Sequence, residues 1–199
     1  MSKIKNFTVG HCTRSDVRGI IESLHYSRSI NGVISCYCFK LLHEDRVIGG
    51  IIFGSLGMAN SWKKYGASPD KVTELRRLVC IDDTPKNTES FFIGKCLRWL
   101  ELNTQIETVV SYADPNYGHS GVIYKASNFK LMGLTSPGRV IMWGDKKYHD
   151  KCIRTYHNGR LKPFAQRVKD ALDRGDAYYK KQVGKNIFTY QLKRKLRRI

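Results

Sequence analysis

The sequence predicts a mixed α/β fold: a central mixed sheet flanked by helices, followed by a basic C-terminal extension. Three observations carry this. Apolar residues follow helical spacing in some segments and strand character in others, in the order β-α-β-β-β-α-β-α-β-β. Hydrophobic residues make up 41% of the 199 positions and are spread along the chain, enough for a real core and unlike a disordered polymer. A hairpin feeding a strand, a helix, another strand and a helix calls for a sheet with both antiparallel and parallel neighbours.

The elements follow in order. Phe7-Thr-Val-Gly is a short strand. Thr13-x-x-Asp16 is a capping box, and Val17, Ile20, Ile21 and Leu24 then form one helical face that runs out at His25-Tyr26-Ser27. Residues 33–42 and 47–54 are strands joined by the hairpin His43-Glu-Asp-Arg, and the second, apolar on both faces, belongs in the sheet interior. Residues 55–72 are loop. Glu74–Ile81 is a third strand, Asp82–Asn87 a turn, and Ser90–Leu102 a helix with an apolar stripe. Glu107–Tyr112 is a strand and Gly121–Ser127 a short helix. Phe129–Leu134 and Arg139–Trp143 are strands flanking Ser136-Pro-Gly. Pro163 opens a helix with Phe164, Val168, Ala171 and Leu172 on one face, and Gly175 caps its end. Ile187–Leu192 is a last strand.

Charge narrows the partner. The formal net charge is +18, and from Asp145 to Ile199 seventeen Lys or Arg face five Asp or Glu, a net of +12. A polyanion, nucleic acid first, fits this excess; a basic tail that keeps the protein soluble is the bland alternative. The six cysteines form no CxxC pair and read as buried free thiols. Cys36 and Cys38 share a strand face without a second pair at zinc spacing. No apolar run reaches the ~20 residues of a membrane helix, and Met1–Thr8 lacks a signal-peptide core, so the expected setting is the cytoplasm. No heptad speaks for a dimer.

The densest chemistry lies in SYADPNYGHSGVIYKASNF, residues 111–129, just past a buried strand. Tyr124 reads equally as a general acid or as a core aromatic. Glu74 and Arg76, two apart on a strand, are either a proton acceptor with its neighbour or an exposed ion pair. His25 and Tyr26 end the first helix, where His also serves the helix dipole. Asp114 and His119, with His25 or Glu74, could be metal ligands, and two His with one carboxylate suit non-haem iron. Lys86, Asn87, Thr88 and Ser90 precede or open a helix whose free N–H groups could hold a phosphate or oxyanion, although Asp82, Asp83 and Glu89 oppose it.

The element order, the carboxylate on the Glu74 strand and the segment Asn116…Gly121-Val-Ile-Tyr124-Lys-Ala-Ser-Asn128-Phe129 resemble the GNAT acyltransferase fold. In that fold the tyrosine matching Tyr124 commonly protonates the departing CoA thiolate. The chain departs from it where a Gly-rich loop should hold the CoA pyrophosphate: Lys86-Asn-Thr-Glu-Ser-Phe-Phe-Ile-Gly94 lacks the glycines. A closer resemblance joins HYS (25–27), ELRRLVCID (74–82), PKNTESFFIGKCLRWL (85–100) and residues 111–129 to the phage Mom adenine-modification proteins, across most of residues 20–150 and loosely beyond.

That resemblance implies a GNAT-like catalytic domain over 1–150 and a basic extension over 151–199, helix plus strand, that packs on it and contacts DNA. It implies transfer of a methylcarbamoyl-type group to adenine N6 in double-stranded phage DNA, shielding it from restriction in the cytoplasm of the infected host. It also implies a possible iron requirement. The donor stays open, with acetyl-CoA one option. The base would be flipped out of the duplex and stacked on Tyr26, Tyr112, Tyr117 or Phe129. Asp114 or His25 would stand near the amine, Tyr124 would be the acid, and Ser111, Glu74 and Tyr26 would complete the site. Arg76, Lys146, Lys147, Arg160, Lys162, Lys193, Arg194, Lys195, Arg197 and Arg198 would meet phosphates. A conventional GNAT N-acetyltransferase on a protein or small amine, and a non-catalytic DNA-binding protein on the same scaffold, are the alternatives.

Overall fold

A computed structural model of the chain describes residues 4–193. They form two compact units: residues 4–113, 119–133 and 186–193 make the first, and residues 114–118 and 134–185 the second.

The first unit is built on a seven-stranded sheet in the order β1-β2-β3-β4-β5-β10-β6. Its strands are β1 (Phe7–Cys12), β2 (Ser35–His43), β3 (Arg46–Gly54), β4 (Val72–Cys80), β5 (Thr108–Ala113), β6 (Lys130–Leu134) and β10 (Asn186–Gln191). β1 to β4 run antiparallel in sequence, β4 and β5 are parallel, and β10 lies antiparallel to β5. The mixed sheet flanked by helices is therefore as the sequence predicts. β3 is interior and buried on both sides because it has no polar face to offer water.

Helix α1 (Arg14–Leu24) covers one sheet face. The Asp16 carboxylate accepts from the Thr13 backbone N–H at 2.8 Å and from its hydroxyl at 2.7 Å, which starts the helix where the capping box places it. Val17 and Ile21 pack with Cys38, Ile52 and Val79. Leu24, expected on that face, is exposed at the helix end. Helix α2 (Thr88–Asn103) covers the other face and sets Phe92, Ile93, Cys96, Leu97 and Leu100 against Phe39, Ile51, Phe53, Leu75, Val109 and Phe188. At ~25 cal/mol per Å² of apolar area, this cluster is the main source of the unit's stability. The short helix α3 (Val122–Ala126) starts at Gly121, whose φ is +85° and where a Cβ would run into the Phe188 ring.

The second unit has a three-stranded sheet, β8-β7-β9, of β7 (Gly138–Trp143), β8 (Lys146–His149) and β9 (Ala177–Gln182). Helix α4 (Pro163–Asp173) packs Val168 and Ala171 on Ile141 and Ala177. It ends in a Schellman turn: Asp176 N–H donates to the Ala171 carbonyl at 2.8 Å and Gly175 N–H, at φ +84°, to Leu172 at 3.1 Å.

Several expectations are corrected. The two strands around Ser136-Pro-Gly do not share a sheet, since β6 joins the first unit and β7 the second. β8 and β9 go unseen in the sequence because Lys-rich strands lack apolar alternation. The Gly144-Asp145 dipeptide, which turns β7 into β8, is the signal that could have shown the hairpin. β10 is not part of an appended tail: it is an interior strand of the main sheet, so the division between the units does not fall at 150/151. Phe164 is exposed, and Ala165 is buried in its stead. Cys36 is exposed because it is the extra residue of a bulge between Ser35 and Tyr37, which takes it out of step with Cys38. Among the described residues no helix is long and apolar enough to cross a membrane.

Candidate active site

The ladder between β4 and β5 pairs Val72 with Thr108, Thr73 with Val109 and Glu74 with Val110, and stops there. Both strands continue, β4 to Cys80 and β5 to Ala113. Each stays laddered to its other neighbour, β3 or β10, so the sheet opens between them. Beyond Glu74 and Val110 this opening leaves backbone donors and acceptors to something other than the ladder.

A bulge shapes the same place. Leu75 pairs with Phe53 and Arg77 with Ile52, so Arg76 is the extra residue of β4. Bulges re-aim side chains, and here Arg76 turns to Glu74, with Nη1 donating to Oε2 at 2.9 Å. The Gly57 N–H donates to the same oxygen at 3.1 Å. A Cβ at Gly57 would stand 2.8 Å from Arg76 Nη1, so a larger residue there would push the guanidinium aside. Glu74 is only 8% exposed, so the pair foreseen on an outer face is an inner one. The Arg76 guanidinium is committed to Glu74, and the residue is no longer a candidate for a phosphate contact. Its Nε is buried with no hydrogen-bond partner among the described residues.

Tyr124, on α3, lies within hydrogen-bonding reach of Ser111, which β5 carries just past the end of the ladder. Burial pushes the Tyr124 phenol up to about 12; the hydrogen bond to Ser111 works against burial, while Tyr26 and Glu74 nearby add to it. The phenol therefore keeps its proton at neutral pH, as a general acid must. Its ring also packs on Phe129 and Phe188, at 5.6 and 5.3 Å between centroids, as the core-aromatic reading has it. Ser111 is fully buried, its hydroxyl 3.4 Å from the Leu75 carbonyl.

His25, Tyr26 and His119 stand beside them. Tyr26 lies with its ring 4.2 Å from His25 and 5.2 Å from His119, and 45% of it is exposed. Burial, then the positive charge of Arg77, then His119 lower His25 to about 4. Arg77 is held there by donating from Nε to the Ser29 carbonyl at 3.0 Å. The Ser27 N–H donates to His25 Nδ1 at 3.1 Å, and the Ser27 hydroxyl lies 2.8 Å from the same nitrogen. Nδ1 is thus an acceptor, and the ring proton belongs on Nε2. His25 is a neutral hydrogen-bond donor and not the proton acceptor the sequence reading allowed.

That tautomer also opposes a metal on Nε2. Asp114 lies in the second unit, where one carboxylate oxygen accepts from Asn116 N–H at 3.0 Å and Nδ2 at 2.8 Å and the other pairs with Lys185 at 3.1 Å. Among the described residues no three His, Cys, Asp or Glu side chains gather where they could hold a metal ion. The set His25, Asp114 and His119 does not fit iron.

The proposed cofactor loop also closes on itself. Thr88 is fully buried and donates from its hydroxyl to the Pro85 carbonyl at 2.7 Å, and the Ser90 hydroxyl donates to Asn87 at 3.0 Å. Neither hydroxyl is aimed at a phosphate, and only Lys86 and Asn87 stand exposed. The loop fits a CoA pyrophosphate poorly.

Of the stacking candidates, Phe129 is core and Tyr112 is half-buried, its phenol raised by burial and by a hydrogen bond to Tyr65. Tyr117 sits in the second unit. Tyr26 alone combines exposure with a place in the cluster. Arg77, Tyr65 and Gly57 were missed in the sequence, since a bulge and a loop bring them in. Lys146, Lys147, Arg160, Lys162 and Lys193 are exposed. Arg194, Lys195, Arg197 and Arg198 lie outside the described residues.

Residues 6–197 match the Mom protein family. A 120-residue stretch is 34% identical to the methylcarbamoylase mom of Escherichia phage Mu, covering 58% of this chain. The chain spans about half the length of that relative, 49%. In three dimensions the chain is similar to an N-acetyltransferase from Staphylococcus aureus Mu50, with a TM-score of 0.52, 13% identity, and 94% and 99% of the two chains covered. It is similar to the ribosomal-protein-S18-alanine N-acetyltransferase of Escherichia coli, with a TM-score of 0.52, 9% identity, and 97% and 98% covered. It is also similar to a GNAT family acetyltransferase from Elizabethkingia anophelis with acetyl-CoA bound, with a TM-score of 0.51, 8% identity, and 94% and 99% covered. These likenesses show the GNAT fold.

Proposed function

The chain belongs to the Mom protein family, and from that premise we propose that it is a transferase that places a methylcarbamoyl-type group on the N6 amine of adenine in double-stranded phage DNA, protecting it from restriction. The observation that carries the reading is the gathering of Tyr124, Ser111, Glu74, Tyr26 and His25 where β4 and β5 part.

The chemistry asks for those groups. The adenine amine is a weak nucleophile, because its lone pair is delocalised into the ring, so orientation and proton removal must accompany attack. Tyr26, 45% exposed, stacks a base flipped from the duplex. His25 donates from Nε2–H to a ring nitrogen. The N6 lone pair forms a bond to the electrophilic carbon of the donor as the bond to its leaving group breaks. Glu74, the carboxylate of the cluster, takes the N6 proton, and Tyr124, positioned by Ser111, gives its proton to the leaving group. The donor is an activated small group whose carrier need not be CoA, given the closed loop at Thr88 and Ser90.

The test is nucleoside mass spectrometry on plasmid DNA from bacteria expressing the protein. A deoxyadenosine heavier by a methylcarbamoyl group is the expected result. An acetyl-sized gain would restore acetyl-CoA as donor. Unmodified adenine with soluble protein would overturn the proposal.

A further inference from the structure

The register of the small sheet separates its residues into two unlike faces. Residues paired directly across strands point the same way. Arg139 pairs with Lys181, Ile141 with Tyr179 and Tyr148, and Trp143 with Ala177 and Lys146. This is the face that α4 covers, since Ile141, Ala177, Trp143 and Tyr148 pack with Val168 and Ala171. The other face has Val140 between Lys180 and His149, and Met142 between Tyr178 and Lys147.

On that second face Lys147, His149, Tyr178 and Lys180 are all exposed, Tyr178 by 62%. No strand residue on it is acidic. Three of the unit's six Asp are in ion pairs: Asp150 with Arg139 and Arg154 and, at 3.2 Å, beside His149 of this face, Asp176 with Arg174, and Asp114 with Lys185. The unit as a whole has thirteen Lys or Arg against six Asp. By strand and residue spacing, Lys147 and Lys180 occupy opposite corners of a rectangle roughly 10 by 7 Å, about 12 Å apart. Tyr178 and His149 hold the other corners. Tyr117 stiffens one of them: its hydroxyl accepts from Lys147 Nζ at 3.0 Å, and the ammonium lies 4.4 Å from its ring centroid.

We infer that the exposed side chains Lys147, His149, Tyr178 and Lys180 of this second face, which flank the buried Val140, form a docking surface for the phosphate backbone of duplex DNA. The inference rests on the proposed DNA substrate and names where the duplex is held. Lys147 and Lys180, on the two flanking strands, can neutralise neighbouring phosphates of the duplex backbone. His149 and the phenol of Tyr178 supply hydrogen bonds to phosphate or sugar between them. The register also sorts two adjacent lysines: Lys147 belongs to this face and Lys146 to the covered one.

The test is DNA binding of the full chain to a labelled duplex over a range of salt. Each lost phosphate contact removes about 0.9 from the slope of log K against log salt. Lys147→Ala with Lys180→Ala should flatten the slope by about two and weaken binding at least tenfold at low salt. Arg167→Ala with Lys169→Ala, the same charge loss on α4, should change binding by less than threefold. Equal effects of the two pairs would mean general charge attraction and would overturn the inference, as would unchanged binding by the first pair. Thermal melting of each variant separates lost contacts from lost fold, and Lys147→Arg with Lys180→Arg should restore the slope. If the wild type modifies adenine yet the first pair binds normally, the docking surface is wrong and the proposed function stands. If the wild type neither binds nor modifies DNA, both fall.

Discussion

Arg76 donates to the buried Glu74 carboxylate at 2.9 Å while its own Nε has no hydrogen-bond partner among the described residues. Taking away one member of a buried ion pair strands the charge of the other. Arg76→Ala is expected to cost about 3 kcal/mol in urea unfolding, with the Gly57 N–H still holding Glu74. Glu74→Gln with Arg76→Met should recover most of that stability and still lack modification activity. Recovery of activity in the double variant would remove Glu74 from the reaction.

Tyr124 is both acid and core. Tyr124→Phe keeps the ring against Phe129 and Phe188 and loses the hydroxyl bonded to Ser111. The expected stability change is about 1 kcal/mol, with modification slower by about 10²- to 10⁴-fold. Initial rates of modified deoxyadenosine formation check this, and a rate near wild type would leave Tyr124 a packing residue.

His25 makes stability fall with acid. Its value is about 4 in the fold, against 6.5 for the unperturbed ring. Between pH 6.5 and 4 the unfolded chain takes up a proton that the folded chain refuses, so stability present above that window is lost on descending through it. His25→Asn should flatten the urea midpoint over this range relative to wild type. Parallel curves would show that His25 is not held neutral.

Asp114 is expected to hold structure. Burial raises its carboxyl, but hydrogen bonds from Asn116 and Lys185 outweigh burial and leave it below the ordinary value. Its stabilising effect is present above the usual carboxylate range and lost as pH falls through its own lowered value. Asp114→Asn should cost about 2 kcal/mol and retain far more modification activity than Glu74→Gln. Equal loss in the two variants, at a temperature where both are folded, would return Asp114 to the catalytic set.

How much of this could be read beforehand varies by residue. The capping box at Thr13 and Asp16 and the Gly175 turn are local, set by groups within a few residues, and both stand where the sequence puts them. So do the apolar interior strand β3 and the charge excess of the last quarter. Tyr124 and Ser111 could be picked out because they lie in one dense stretch. Their meeting with Tyr26 and Glu74, distant in sequence, could only be inferred by resemblance.

What the tertiary structure decided is everything that depends on register and pairing. One extra residue at Arg76 turns a guanidinium inward, and one backbone N–H at Ser27 assigns the proton of His25. Ile187–Leu192 announces a strand, yet only long-range ladder bonds insert it between β5 and β6. Lys146 and Lys147 look alike in the chain and fall on opposite faces of a sheet. Composition and periodicity are local sums, and the sequence by itself determined most of the elements, the helix ends at Thr13 and Gly175 and the excess of positive charge. Which side chains face one another is set by contacts between residues far apart in the chain, where a shift of one position reverses a face.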